Sequence, residues 1–184
     1  IFHLTGLYQG DFSEQLQNFN KEINHHRKKK IAPATNWLDA FTQLESYVKS
    51  LRSKKKKVLF IDEFPWIATP KSKFLTAFEN FWNHFASNRN DLIVIICGSA
   101  ASYMVRKIIN NKGGLHNRVT QTIRLLPFNL AETKNYLAHK KIKLTHYDIT
   151  QLYLAIGGIP FYLDHIQKEL SVAQNIDALC FEKD

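Results

Sequence analysis

The sequence is poor in several residue types, and each scarcity excludes a class of protein. Its 184 residues include only 2 Cys, Cys97 and Cys180, which is too few for a disulfide framework or a zinc cluster and is typical of a reducing compartment. With 7 Gly and 5 Pro, the chain is neither collagen-like nor of low complexity. No apolar run approaches the ~20 residues needed to span a bilayer, so we expect no transmembrane helix and a cytoplasmic location.

Apolar and basic side chains are abundant instead. Hydrophobic residues make up 45% of the chain and aromatic residues 12%, enough for a sizeable core in one ordinary domain with a small appendage. The formal net charge is +9, and most of the basic excess lies in the first 57 residues. This charge favours acidic partners such as nucleotides or nucleic acid.

Apolar strands alternate with amphipathic helices through most of the chain. The predicted strands cover residues 1–4, 58–61, 92–97 and 122–125, and the predicted helices between them cover residues 12–28, 38–51, 71–87 and 100–109. Such apolar strands are typical of a parallel sheet covered on both faces. After Pro127 only helices are predicted, and they begin at Asn129 and Thr145, each of which has an acid three residues later in the spacing of a capping box. Asp11 has the same spacing at the start of the first predicted helix. The sequence therefore predicts an α/β core over residues 1–127 and a small helical subdomain over residues 128–184.

Polar side chains follow two of the apolar strands. Asp62 and Glu63 come directly after residues 58–61, at the strand end where open α/β sheets bind ligands. A first carboxylate there can hold Mg²⁺ through water, and a second can orient or deprotonate an attacking water. Ser99 follows the next strand and is a candidate for contact with a γ-phosphate or that water. The plainer interpretation is that the two acids open a polar loop and that Ser99 caps a helix.

Four segments, in order along the chain, carry a family resemblance: KKKKVLFIDEFPWI, LIVIICGSAASYM, GGLHNRVTQTIRLLPF and GGIPFYL. Together they resemble the prokaryotic AAA+-type ATPases of the archaeal ATPase group, which are related to the STAND NTPases. The resemblance extends from Ile1 to about Leu170. It implies a three-layer P-loop NTPase sheet of strand order 5-1-4-3-2, a helical lid, and ATP hydrolysis with ATP and Mg²⁺ as cofactors. In that order the four predicted strands are strands 2, 3, 4 and 5.

The resemblance also assigns roles to individual residues. Asp62 and Glu63 are the Walker B pair, in which Asp62 holds the metal and Glu63 positions the water. Ser99 occupies the sensor-1 position, and Arg118 is an arginine finger or γ-phosphate sensor that stabilises transition-state charge. The glycine-proline motif of the lid, which lies against the adenine in relatives, corresponds to Gly157, Gly158 and Pro160.

One motif of the family is missing. No segment matches G-x-x-x-x-G-K-[ST] and no Gly is followed by Lys, so the phosphate cradle, its Lys and its Mg²⁺-binding hydroxyl are absent from this chain. Because Asp62, Glu63, Ser99 and Arg118 are all retained, we expect strand 1 and the P-loop to lie upstream of Ile1 in a longer protein. Natural loss of the loop is the alternative. The fragment alone is expected to bind nucleotide weakly or not at all and to be inactive.

Two further expectations concern partners and the sheet edge. A non-hydrolytic, basic nucleic-acid-binding module is the alternative function, in which residues 27–30 and 54–57 contact phosphates, although both runs also suit solvated ends of helices and strands. ATP is the expected partner, with nucleic acid, a protein or a second copy of the chain as further candidates and no membrane. Without strand 1, strands 4 and 5 are expected to stand apart, or another segment or chain fills the gap.

Overall fold

The structure, a computed structural model, describes residues 1–27, 31–99, 101–110 and 113–181, except for the side chains of residues 101 and 102. The chain forms two compact units, Ile1–Gln121 and Thr122–Asp184. The division lies a few residues before the boundary expected from the sequence. Three of the basic residues in the 27–30 run lie outside the described residues.

A three-stranded parallel sheet forms the centre of the first unit. Its strands are β1 (Phe2–Thr5), β2 (Lys57–Asp62) and β3 (Leu92–Ile96), in the order β1-β2-β3. The register pairs Phe2 with Leu59, and Leu59 with Val94. This order confirms the adjacency expected for strands 2, 3 and 4.

Five helices accompany the sheet in the described part of the first unit. They are α1 (Phe12–His26), α2 (Trp37–Ser50), α3 (Phe64–Ile67), α4 (Phe74–His84) and α5 (Ala101–Met104); a 3-10 turn, Ala86–Asn88, follows α4, and a π-helical turn, Val105–Ile109, continues α5. The capping box expected at the start of α1 is present, because Asp11 and Glu14 exchange side-chain to backbone hydrogen bonds. Asn36 caps α2 through a single bond, in which its side-chain oxygen accepts from the N–H of Asp39.

The helices bury one face of the sheet and leave the other open. Side chains of alternate strand residues join the apolar face of α1 and the aromatic faces of α2 and α4 in a single core. The residues between them face away, and Ile93 and Ile95 of β3 are 43% and 44% exposed. The expectation that both faces are covered was therefore wrong for the described residues, since no described helix packs over this face of β3.

The predicted strand at residues 122–125 was also wrong. This segment has no strand partner among the described residues and forms no regular element. Ile123 and Leu125 are 74% and 89% exposed. A strand exists only through its hydrogen bonds to a neighbour, so alternating apolar residues alone cannot form one.

The second unit is helical. It contains α6 (Leu130–His139), α7 (His146–Ile156), α8 (Pro160–Asp164) and α9 (Val172–Cys180). The capping boxes expected at Asn129 and Thr145 are both present, and Ser171 forms a third. A separate small core holds the unit together around the fully buried Leu137, Leu152 and Leu163. None of the helices in the described ranges is long and apolar enough to cross a membrane.

Candidate active site at the carboxyl ends of β2 and β3

The ends of two adjacent strands bring Asp62, Glu63 and Ser99 together. The Ser99 hydroxyl donates a hydrogen bond to Glu63 Oε2 at 3.2 Å, and the Ser99 N–H lies 3.4 Å from the same oxygen. The backbone continues the ladder beyond β3, because the N–H of Phe64 donates to the carbonyl of Cys97 at 2.9 Å. The three residues therefore share one edge of the sheet, as the strand-end rule predicted.

The Asp62 carboxylate is oriented through one of its two oxygens. Oδ1 accepts a hydrogen bond from the Glu63 N–H at 2.9 Å and one from the Cys97 thiol at 2.6 Å. Oδ2 makes no hydrogen bond with any residue that the structure describes. The carboxylate is thus fixed in direction and retains one oxygen for an external ligand.

Glu63 has an unusual backbone conformation. Its φ of 46° and ψ of 44° lie in the left-handed region. This conformation costs roughly 1–2 kcal/mol for a residue with a Cβ, and residues held in it cluster at functional sites. The conformation turns the chain from β2 directly into α3, where Pro65 stands in the first turn.

A close backbone contact sets the position of Ser99. A Cβ on Gly98 would lie 2.4 Å from Cδ of Pro65 and 3.8 Å from Glu63 Oε2. Glycine is therefore required for the end of β3 to pass Pro65 and place Ser99 beside Glu63. The sequence signal for this arrangement was the Gly-Ser pair after the predicted strand at residues 92–97.

Cys97 is the residue of this site that sequence reasoning missed. It is half-buried and follows the last residue of β3. Burial raises the pKa of its thiol to about 11, with a further contribution from the Asp62 carboxylate that accepts its hydrogen bond. Cys97 therefore remains a protonated donor at neutral pH. Only the register between β2 and β3 reveals the contact.

The structure does not join Arg118 to these carboxylates through a direct contact. The residue is exposed in a loop, and its N–H donates to the carbonyl of Leu115 at 3.1 Å. Its guanidinium makes no hydrogen bond or ion pair with the residues that the structure describes. The role of Arg118 stays a prediction.

The glycine-proline motif lies in the second unit, where the local backbone conformation and close contacts explain its residue types. Gly157 ends α7 with a φ of 67°, and Pro160 is the first residue of α8. A Cβ on Gly158 would lie 1.8 Å from the Phe128 carbonyl oxygen, and the Phe128 N–H donates to the Gly158 carbonyl at 2.8 Å. A role for these residues against adenine stays a prediction.

The described residues provide a carboxylate suited to the Mg²⁺ of a magnesium nucleotide, but this sequence has no loop to bind the phosphates. The described residues hold no group of three or more His, Cys, Asp or Glu placed to bind a metal. Mg²⁺ does not need such a group, because one carboxylate, waters and substrate phosphates can complete its shell, and Asp62 Oδ2 is suited to this. The phosphates also need a cradle of backbone N–H groups and a Lys, and no segment of this sequence matches that motif.

Comparisons with known proteins find relatives that are longer than this chain. The Walker-type ATPase of Pyrococcus abyssi has a similar structure, with a TM-score of 0.59 over 96% of this chain and 51% of that chain, at 14% sequence identity. An uncharacterized protein of Methanocaldococcus jannaschii is 26% identical over 114 residues, which are 61% of this chain and 25% of that protein. The chain thus spans about a quarter of that relative and about half of the solved structure.

The family comparison covers most of the sequence. The family described as an ATPase domain predominantly from Archaea matches residues 7–166, which include both strand ends of the site and most of the second unit. The α/β fold with its small parallel sheet agrees with the Walker-type structure. The chain therefore belongs to this family of archaeal-type ATPase domains.

Proposed function

We propose that this chain supplies the hydrolytic part of an AAA+-type domain that binds and hydrolyses ATP, and that residues outside the chain supply the phosphate-binding loop. The observation that carries the proposal is the group formed by Asp62, Glu63 and Ser99 at the carboxyl ends of neighbouring parallel strands. The family match and the longer relatives support it. In this proposal Asp62 and Glu63 form the Walker B pair.

Each residue has a role that follows from its surroundings. Asp62 would hold Mg²⁺ through the oxygen that Cys97 and the Glu63 N–H leave free. The ion, when bound, would supply neutralisation of the negative charge on the nucleotide phosphates. Glu63 orients a water towards the γ-phosphorus and accepts its proton as the bond between that phosphorus and the β–γ bridging oxygen breaks. Ser99 keeps the Glu63 carboxylate at the end of β3 and contacts the γ-phosphate.

Two further elements complete the proposal. Arg118 stabilises the negative charge that develops on the transferred phosphoryl group. Gly157, Gly158 and Pro160 lie against the adenine, where the absence of bulky side chains permits close approach. Homo-oligomer formation would place Arg118 of one copy near the nucleotide of another, which agrees with its lack of a partner within the described chain.

The experiment uses the longer protein that this proposal requires, in which the phosphate-binding loop and this chain occur together. Glu63→Gln should lower the rate of ATP hydrolysis by roughly 10²–10⁴-fold while ATP still binds, because only the group that accepts the proton of water is lost. Glu169→Gln, which removes one exposed carboxylate in the second unit, is the matched control and should leave the rate unchanged. A Glu63→Gln variant with an unchanged turnover would remove Glu63 from the mechanism.

Arg118 is tested in the same protein. Arg118→Ala should lower turnover more than ATP affinity, because its charge is required mainly in the transition state. Steady-state rates and ATP titration measure the two quantities separately. If neither changes, Arg118 has no part in hydrolysis.

A further inference from the structure

A groove lies at the amino end of β2, at the opposite end of the sheet from Asp62. The groove has a volume of about 320 Å³. Its floor is apolar and includes Phe2, Val48 and Leu59, and basic residues between α2 and β2 form its rim. Since β2 runs from Lys57 to Asp62 at about 3.3 Å per residue, the groove and the carboxylates are about 17 Å apart.

Two lysines hold this rim in place. Lys57 is only 8% exposed, and its ammonium group lies 2.6 Å from Asp91 Oδ2 and 3.0 Å from the Ser53 carbonyl. The Lys56 ammonium donates to the Asn90 carbonyl. These bonds tie the 53–57 segment to the turn before β3, so the rim has a defined conformation.

Three neighbouring basic side chains are not held by bonds of this kind. Arg52, Lys54 and Lys55 are exposed, and their side chains make no hydrogen bond or ion pair with the residues that the structure describes. The nearby Asp91 does not neutralise them, because it is already paired with Lys57 and Arg89. Arg52 and Lys55 line the groove, and Lys54 comes directly before Lys55. These three like charges within four residues have no counter-charge among the residues that the structure describes.

We propose that this groove binds the phosphodiester backbone of nucleic acid. The cations provide up to three phosphate contacts, and such contacts position a strand without reading its bases. A concave groove of this size fits a chain of phosphates better than it fits the flat surface of an anionic membrane. The site lies away from Asp62 and Glu63, so it does not depend on the proposed ATP hydrolysis.

Fluorescence anisotropy with labelled oligonucleotides tests the proposal on this chain. The groove variant carries Arg52→Gln, Lys54→Gln and Lys55→Gln. The control carries Lys21→Gln, Lys71→Gln and Lys143→Gln, which removes the same charge from exposed lysines elsewhere. Single-stranded DNA, single-stranded RNA and duplex DNA are compared, and circular dichroism verifies that both variants are folded.

The expected result is specific to the groove. The groove variant should bind at least about tenfold more weakly, and the slope of log affinity against log salt should become shallower by roughly two. The control should keep most of its affinity and most of its salt dependence. Preference among the three oligonucleotides identifies the form of nucleic acid.

Three outcomes would overturn the proposal. The first is that the unmodified chain shows no binding at low salt. The second is an equal loss in the control variant, which would mean that net charge alone attracts the oligonucleotide. The third is groove-dependent binding to vesicles containing anionic lipid with no binding to any oligonucleotide, which would identify a membrane surface instead.

Discussion

Two donors of different kinds hold the Asp62 carboxylate, and the thiol donor can be tested. Cys97→Val removes the donor to Oδ1 at similar volume, whereas Cys97→Ser keeps a hydroxyl there. In the longer protein, we expect the valine variant to need more Mg²⁺ for half-maximal hydrolysis and the serine variant to remain close to the unmodified protein. Titration of the rate with Mg²⁺ separates this requirement from the maximal rate.

The control for this prediction is the second cysteine. Cys180→Val alters an exposed residue in the other unit and should not change the Mg²⁺ requirement. Equal behaviour of Cys97→Val and Cys97→Ser would show that the thiol does not position Asp62, and that any effect comes from packing.

Asp91 gives a prediction about pH. Hydrogen bonds from Arg89, followed by those from Lys57, lower the pKa of the Asp91 carboxyl from 3.8 to about 2. Because folding favours the ionised form, its contribution to the free energy of unfolding is present above pH 3.8 and is lost as the pH falls through about 2. Urea unfolding should therefore show Asp91→Asn to be less stable than the unmodified chain at neutral pH, and the difference should disappear near pH 2.

An Asp39→Asn variant provides the comparison for that series. Asp39 accepts a hydrogen bond from the Thr35 N–H but forms no ion pair within the described chain. A difference between Asp91→Asn and the unmodified chain that stays constant from pH 7 to about 2 would contradict the assigned cause.

At the scale of elements, the aromatic face of α4 is core. Phe74 is fully buried and its ring lies 4.7 Å from Trp37, 5.2 Å from Phe64 and 5.5 Å from Phe41. Phe74→Ala should lower the free energy of unfolding by roughly 3–5 kcal/mol, because it removes these contacts and leaves a cavity. Denaturant unfolding measures the loss.

The same substitution at an exposed ring is the control for Phe74. Tyr8 is 70% exposed and contacts Trp66 with its edge at 5.2 Å. Tyr8→Ala should lower the free energy of unfolding by much less than Phe74→Ala does. A small effect at Phe74 would mean that the α4 aromatics are not the centre of the core.

Helix starts could be predicted from the sequence because they depend on neighbouring residues. Asp11, Asn129 and Thr145 each cap a helix through side-chain atoms three residues away, and all three positions were identified. The start of α4 was missed by three residues, since Lys73 before it adopts a left-handed conformation that no local signal indicates. The predicted strand at 122–125 failed because strand formation depends on a distant partner.

The site could be predicted only where a general rule for parallel sheets applies. Asp62, Glu63 and Ser99 follow apolar strands, and the rule for parallel sheets placed them at one edge. The thiol contact from Cys97 depends on strand register, and the required glycine at position 98 depends on the approach of Pro65. Neither relation is visible in the order of residues along the chain.

At the scale of the whole molecule, one edge of the sheet is unprotected. In the described ranges β3 pairs only with β2, so its outer edge presents unpaired N–H and C=O groups beside the exposed Ile93 and Ile95. An apolar strand edge of this kind is a template for pairing with another chain. We expect the isolated chain to self-associate through this edge as its concentration rises, as measured by size-exclusion chromatography with light scattering.

A pair of variants identifies the surface responsible. Ile93→Lys with Ile95→Lys places two charges along the edge strand and should shift the isolated chain towards monomer, because charged residues blunt strand pairing. Ile123→Lys with Leu125→Lys makes the same change at residues that are also exposed but belong to no strand, and should have a weaker effect. Equal effects would indicate general hydrophobic association. If the proposed strand 1 lies beside β3 in the longer protein, the β3 edge is covered there, so the β3 variants should shift the association of the isolated chain and leave that of the longer protein unchanged.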